Sequence, residues 1–229
     1  MAKSVTSLLK TNPFFTHTMT YGSSNGKFSG DDFTICGPGS TINATKYIIA
    51  EIPLLVERHG IKSILDLPCG DYNWMRKVKF KDDLNYIGAD CNSELIETNK
   101  SRYSGVDFRV IDILNDEIPS ADLVICRDLF IHFTFEETKA ALANIKASGS
   151  KYLLTTTFSW RAFAPKDNVK PAKDAPAPWT RLNLFMEPFN MPPCLDFIIE
   201  FNRETDNPDP DKNYGFGDKI LGLWECNAL

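Results

Sequence analysis

Three aspartates close three successive apolar runs. Asp66 lies in Ile64-Leu65-Asp66-Leu67, a run that stops at Pro68-Cys69-Gly70. Asp90 ends Tyr86-Ile87-Gly88-Ala89-Asp90, 24 positions later, and Asp112 ends Phe108-Arg109-Val110-Ile111-Asp112. A carboxylate accepts hydrogen bonds at two oxygens and holds a cation, so three of them suit a ligand rich in hydroxyl and amino groups. A fourth stretch, Arg127-Asp128-Leu129-Phe130-Ile131-His132, follows another apolar run and contains one of only three histidines. His132 is the candidate general base there, and Asp128 either orients it or binds substrate. A histidine beside Phe130, Ile131 and Phe133 is equally read as a packed side chain.

Short apolar runs broken by turn residues read as buried strands. The one ending at Pro68-Cys69-Gly70 would place its turn at the carboxyl edge of the first strand of a doubly wound α/β sheet, where ligands bind. Two kinds of nucleotide cofactor compete for such a turn. A pyrophosphate needs several glycines for close backbone approach. Here there is one, Gly70, with Pro68 and Tyr72 where others would stand, and Asp71 beside it repels phosphate. S-adenosylmethionine has no phosphate, and its sulfonium and ammonium are cations that acids favour. Asp90 suits the two ribose hydroxyls; Asp112 suits the adenine amino group, with the Ile113 N–H on a ring nitrogen. An NAD-dependent oxidoreductase is disfavoured on the same grounds.

With these residues the chain resembles the class I S-adenosylmethionine-dependent methyltransferases. It is similar to the subgroup whose first motif reads close to DLPCGD-x-x-W (Asp66 to Trp74) and whose fourth reads close to RD-x-x-x-H (Arg127 to His132). The resemblance covers about residues 37–160. It implies a Rossmann-like seven-stranded sheet with an antiparallel terminal hairpin. It also implies cofactor contacts from Asp66 and Gly70 to the methionine part, from Asp90 to the ribose, and from Asp112 and Ile113 to the adenine, with Leu67, Pro68, Cys69 and Cys91 also in the cofactor site. Arg127 is a cofactor-carboxylate or substrate partner, or a surface ion pair. Relatives with this first motif modify saccharides, an analogy of family alone.

The remaining elements follow from spacing. Residues 1–40 form an N-terminal arm, with a short helix near 4–11, that either folds over the ligand mouth or stays flexible; residues 41–229 form the cofactor-binding domain. Apolar residues at helical spacing mark a helix from Thr41 to His59, which Pro53 should kink or break. Residues 71–82 suggest a short helix and a connector whose Arg76, Lys77, Lys79 and Lys81 form a solvated edge. Strands are expected at 62–67, 84–90, 106–111, 121–126 and 151–157. Helices are expected at 93–103, capped by Asn92 or Ser93, and from the capping box at Thr134–Glu137 to about Ala147. Residues 159–194 carry seven prolines and Trp160 and Trp179. This insert after the fifth strand reads as substrate-side, offering Trp160, Trp179, Arg181 and Asn183. Strands at 195–200 and 218–225, with no helix between them, must pair as an antiparallel hairpin.

Composition bounds the function. A formal charge of −5 argues against binding nucleic acid broadly. No apolar stretch approaches a membrane span or a signal segment, and six scattered cysteines read as reduced thiols, which together suggest a cytoplasmic protein. No ligand spacing marks a metal site. The [ND]-P-P-[YF] motif of amino-methylating DNA enzymes is absent, and neither Pro-Cys pair lies where cytosine-C5 enzymes place theirs. The expectation is an O-methyltransferase acting on a polar small molecule such as a sugar or sugar nucleotide. An N-methyltransferase and a non-catalytic cofactor-binding regulator or scaffold are the alternatives. The oligomeric state is not legible.

Overall fold

In the computed structural model, residues 34–158, 168, 180–200 and 219–229 are described. Seven strands form one sheet: β1 Ser63–Asp66, β2 Asn85–Asp90, β3 Asp107–Val110, β4 Leu123–Cys126, β5 Tyr152–Phe158, β6 Asp196–Ile199 and β7 Lys219–Glu225. Their order is β3-β2-β1-β4-β5-β7-β6. The first five are parallel, whereas β7 runs antiparallel to both β5 and β6. The terminal hairpin is therefore inserted by its second strand, and β6 becomes the edge. The direction of winding reverses between β1 and β4, which opens a crevice at their carboxyl ends.

Helices α1 (Ile42–Arg58), α2 (Ser93–Arg102) and α3 (Phe135–Ala147) cover the two faces. Ile48, Ile52 and Leu55 of α1 pack on Ile64, Leu123, Ile125 and Leu221. On the other face Ala141, Leu142 and Ile145 of α3 meet Leu65, Val124, Leu153 and Trp224. Because both faces are covered, β4 and β5 are buried at every residue, which explains their unbroken apolar or threonine-rich sequences.

Of the two outcomes expected at Pro53, a break does not occur: α1 runs through it from Ile42 to Arg58. An interior proline costs about 3 kcal/mol. Burying Ile48, Ile52 and Leu55 returns roughly 2–3 kcal/mol each, so packing wins. Gly60, at φ 63°, then turns the chain into β1. Thr134 and Glu137 make the reciprocal capping box that opens α3, the Glu137 N–H reaching Thr134 Oγ1 at 3.1 Å and the Thr134 N–H reaching Glu137 Oε2 at 2.8 Å.

The 71–82 stretch also differs from expectation. It holds only one 3-10 turn, Met75–Lys77, pinned by buried Trp74, Met75 and Val78. Arg76 is half-buried and donates to Asn73 Oδ1 at 3.2 Å, so it is no solvated edge. The expected helix near 4–11 lies outside the described residues. None of the six cysteines is in a disulfide. Among the described residues no helix is long and apolar enough to cross a membrane.

Candidate cofactor and active site

The parallel strands deliver the three aspartates to one edge of the sheet. Asp66 is the last residue of β1, Asp90 the last of β2, and Asp112 lies two residues past β3. Since β3, β2 and β1 are neighbours, the acids stand in a row, and all three are buried. The turn after β1 is tied into that row: the Cys69 N–H donates to the Ala89 carbonyl (2.7 Å) and the Gly70 N–H to Asp90 Oδ2 (3.3 Å). Leu67 is buried, with its N–H on the Ile125 carbonyl at 2.9 Å, and the Leu67–Pro68 peptide is cis.

Gly70 adopts φ 54°, and a Cβ there would stand 2.7 Å from Cys36 Sγ. Tyr72, where a further glycine was looked for, also takes a left-handed conformation at φ 59°. That costs about 1–2 kcal/mol for a residue with a side chain. Its ring contacts Tyr86, Tyr103 and Phe108, with centroids 5.2–5.5 Å apart, and this aromatic packing holds the strained backbone.

Each acid has a distinct setting. Tyr86 Oη donates to Asp66 Oδ2 at 2.8 Å, while Asp66 Oδ1 is buried with no hydrogen-bond partner. Burial pushes the Asp66 carboxyl up to about 7, against the Tyr86 hydrogen bond and the nearby Arg127 charge. Asp90 accepts from the N–H groups of Asn92 (2.9 Å) and Gly70, and burial raises it too. Asp112 accepts from the Leu114 N–H (2.9 Å) and Asn115 Nδ2 (2.8 Å). A carboxylate oxygen can accept twice, so these bonds leave Asp90 able to accept from a ligand as well. Ile113 is buried and its carbonyl is held by Asn144 Nδ2 at 2.8 Å. Cys91 is half-buried; burial, then Asp90 and Asp112, push its thiol up to about 12, so it is no nucleophile at neutral pH.

Residues 34–40 strap this turn through contacts that the sequence reading did not single out. Thr34 Oγ1 and the Ile35 N–H both donate to Asp71 Oδ2, at 2.8 and 2.9 Å. The Asp71 N–H reaches Cys36 Sγ at 3.2 Å, and Asn73 Nδ2 donates to the Ser40 carbonyl at 3.2 Å. Asp71 and Asn73 thus anchor residues 34–40 to the turn. For Asp71, only its position after Gly70 hinted at such a part.

At the end of β4, Arg127 is buried beside Trp74, its Cζ 5.7 Å from the ring centroid. Its Nη2 donates to Glu200 Oε2 at 2.8 Å, and its Nη1 lies 3.1 Å from Asp128 Oδ2. Lys219 Nζ bridges Asp128 Oδ2 (2.7 Å) and Glu200 Oε2 (2.9 Å). Asp128, at φ 56°, also accepts from Thr156 Oγ1 at 3.0 Å. The Arg127 and Lys219 charges hold its carboxyl well below the usual range despite burial. Two cations and a threonine thus engage the Asp128 carboxylate. Arg127 is not a surface ion pair. Glu200 and Lys219 were hidden from sequence reading because charges at strand ends usually face water.

His132 is half-buried at the end of the 3-10 turn Phe130–His132. The insert passes it, since the Thr180 N–H donates to the Ile131 carbonyl at 2.8 Å. Arg181 is exposed. Asn183 is half-buried; its Oδ1 accepts from the Phe185 N–H (3.0 Å), and its backbone is clasped by Asn168. Trp160 and Trp179 lie outside the described residues. Among the described residues no group of three or more His, Cys, Asp or Glu is arranged to hold a metal.

Residues 64–148 match the family model described as a methyltransferase domain. The match spans 85 of the 229 residues, from within β1 to just past α3. The seven-stranded order with an antiparallel 5-7-6 end is the Rossmann-like sheet expected from the sequence. The fold is similar to that of magnesium protoporphyrin IX methyltransferase from Synechocystis PCC 6803 with bound S-adenosylmethionine. The identity is 13% over 77% of this chain and 91% of that one, with a TM-score of 0.48. It is also similar to an amino pentose methyltransferase from Micromonospora echinaspora (18% identity, 54% of this chain and 57% of that one, TM-score 0.42). A third is an O-methyltransferase family protein from Burkholderia thailandensis (16%, 52% and 40%, TM-score 0.42). No curated protein matches the chain significantly.

Proposed function

We propose that this methyltransferase moves the methyl group of S-adenosylmethionine to a hydroxyl of a polar small molecule such as a sugar or sugar nucleotide. The observation that carries the cofactor site is Asp66 Oδ1, a buried carboxylate oxygen without a partner at the switch point of the sheet. Leaving such an atom unmatched costs about 1–3 kcal/mol or more, and a cationic ligand removes that cost. Asp66 and Gly70 would meet the methionine part, Asp90 the ribose hydroxyls, and Asp112 with the Ile113 N–H the adenine. The bound cofactor supplies a methyl group already activated by its sulfonium.

The chain's own work is then alignment, exclusion of water and proton removal. The strap at residues 34–40 covers the turn and the insert borders His132, which gives the acceptor a place between them. His132 would take the hydroxyl proton as the oxygen attacks. Residues 41–229 form the catalytic unit in this reading, with 1–40 as an arm and 159–194 on the acceptor side, where Trp160 and Trp179 offer faces for a sugar and Arg181 and Asn183 polar heads. The acidity of the chain disfavours polyanions, and its place of action is the cytoplasm. An amine acceptor is the second reading. It gains support from Asp128 being held by Lys219 and Arg127, since an amine needs less help to lose its proton.

The test is transfer of label from methyl-labelled S-adenosylmethionine to a panel of sugars, sugar nucleotides and small amines. Label on a sugar hydroxyl is expected. Label on amines alone would move the assignment to the second reading. Tight cofactor binding with no transfer to any acceptor would favour a regulatory role.

A further inference from the structure

Arg127 and Lys219 set an electrostatic problem. They are two fixed cations at the carboxyl edge, and the proposed ligand of that edge carries a cationic sulfonium. The Leu67 N–H bonds the Ile125 carbonyl, so Arg127 lies only two residues along β4 from the strand that presents Asp66. Asp128 and Glu200 cancel the two cations through contacts of 2.7–3.1 Å, and the four side chains together are neutral. Glu200, just past β6, and Lys219, the first residue of β7, lie outside the residues that match the family model. The side chains of Arg127 and Glu200 are only 5% and 3% exposed, so water screens them little.

We infer that Glu200 and Lys219 are charge-setting positioning residues, whose balance against Arg127 and Asp128 fixes how strongly the site prefers the sulfonium of S-adenosylmethionine over the neutral thioether of S-adenosylhomocysteine. This rests on the cofactor site proposed above. The two ligands differ at sulfur by one methyl group and one positive charge, so the ratio of their affinities reads the local potential. A defect in packing would move both ligands together.

Calorimetry on the full chain with each ligand, for the wild type, Glu200→Gln, Lys219→Met, the double variant and Lys219→Arg, tests it. Glu200→Gln leaves the cluster at +1, and its preference for S-adenosylmethionine should fall about three- to twenty-fold, on the order of a unit charge acting across a partly buried site. Lys219→Met leaves it at −1 and should raise the preference by a similar factor. The neutral double variant and Lys219→Arg should both return close to the wild-type ratio. Should one single variant fail to fold, the other and the double still carry the sign. Equal changes for both ligands, or a shift of the same sign in the two single variants, would overturn the inference and leave the cofactor site intact. A wild type that binds neither ligand overturns both.

Discussion

Burial takes water from the Asp66 carboxylate, and neither the Tyr86 hydroxyl nor Arg127 restores what is lost, so the group titrates near 7 rather than near its ordinary value of 3.8. The sign follows from proton counting. Between about pH 4 and pH 7 the unfolded chain has released this proton while the folded chain keeps it, so stability falls as pH rises through that window. The loss is on the order of 4 kcal/mol, complete above pH 7. Asp66→Asn should flatten that slope in denaturant unfolding of the ligand-free protein. A cation favours the ionised form, so S-adenosylmethionine should bind the wild type about ten-fold more tightly at pH 8 than at pH 6. Asp66→Asn should bind it weakly at both, as calorimetry would record. For His132, replacement by alanine should lower turnover about 10²- to 10⁴-fold with cofactor affinity nearly intact; an unchanged rate would remove it as the base. The aspartates were legible because strand ends fall where apolar runs stop. Tyr72 was not, since a left-handed tyrosine is stabilised only by rings from β2, α2 and β3 that sequence distance conceals.

Elements with local signals were readable. The Thr134–Glu137 capping box and the Asn92 cap both follow from residues a few positions apart. Where a tertiary contact decides, local rules mislead. Pro53 obeys its propensity in isolation and loses to the apolar face of α1. Pro53→Ala should therefore stabilise the protein by about 1–3 kcal/mol, seen as a higher denaturant midpoint with an unchanged slope. The 34–40 strap has the same character. Its bonds to Asp71 and Asn73 cross more than thirty positions, and nothing in the polar, glycine-dotted arm announces them.

For the molecule as a whole, the sheet class was legible and the way its end closes only in part. An antiparallel hairpin was required, yet nothing in the chain said that β7 rather than β6 would lie against β5. The structure seats β7 along all of β5, from Tyr152 opposite Glu225 to Phe158 opposite Lys219. A chain ending at Glu200 should accordingly lose cooperative unfolding, because β5 would face water and β6 would have no neighbour; circular dichroism during thermal melting would show it. The same seating brings Glu200 and Lys219 to Arg127 and Asp128, so β7 completes the sheet and the charge cluster together.

Trp224 stands where a side chain on Gly222 would have to go, its ring 2.3 Å from the Cβ that Gly222 lacks. Its indole Nε1 donates to the carbonyl of Pro192, near the end of the insert, at 2.7 Å. Indole emission responds to hydration and to the bonding of that N–H. The glycine therefore makes room for an indole fixed in the sheet and bonded to the segment before β6, whose contribution to the emission would register whether that segment is seated.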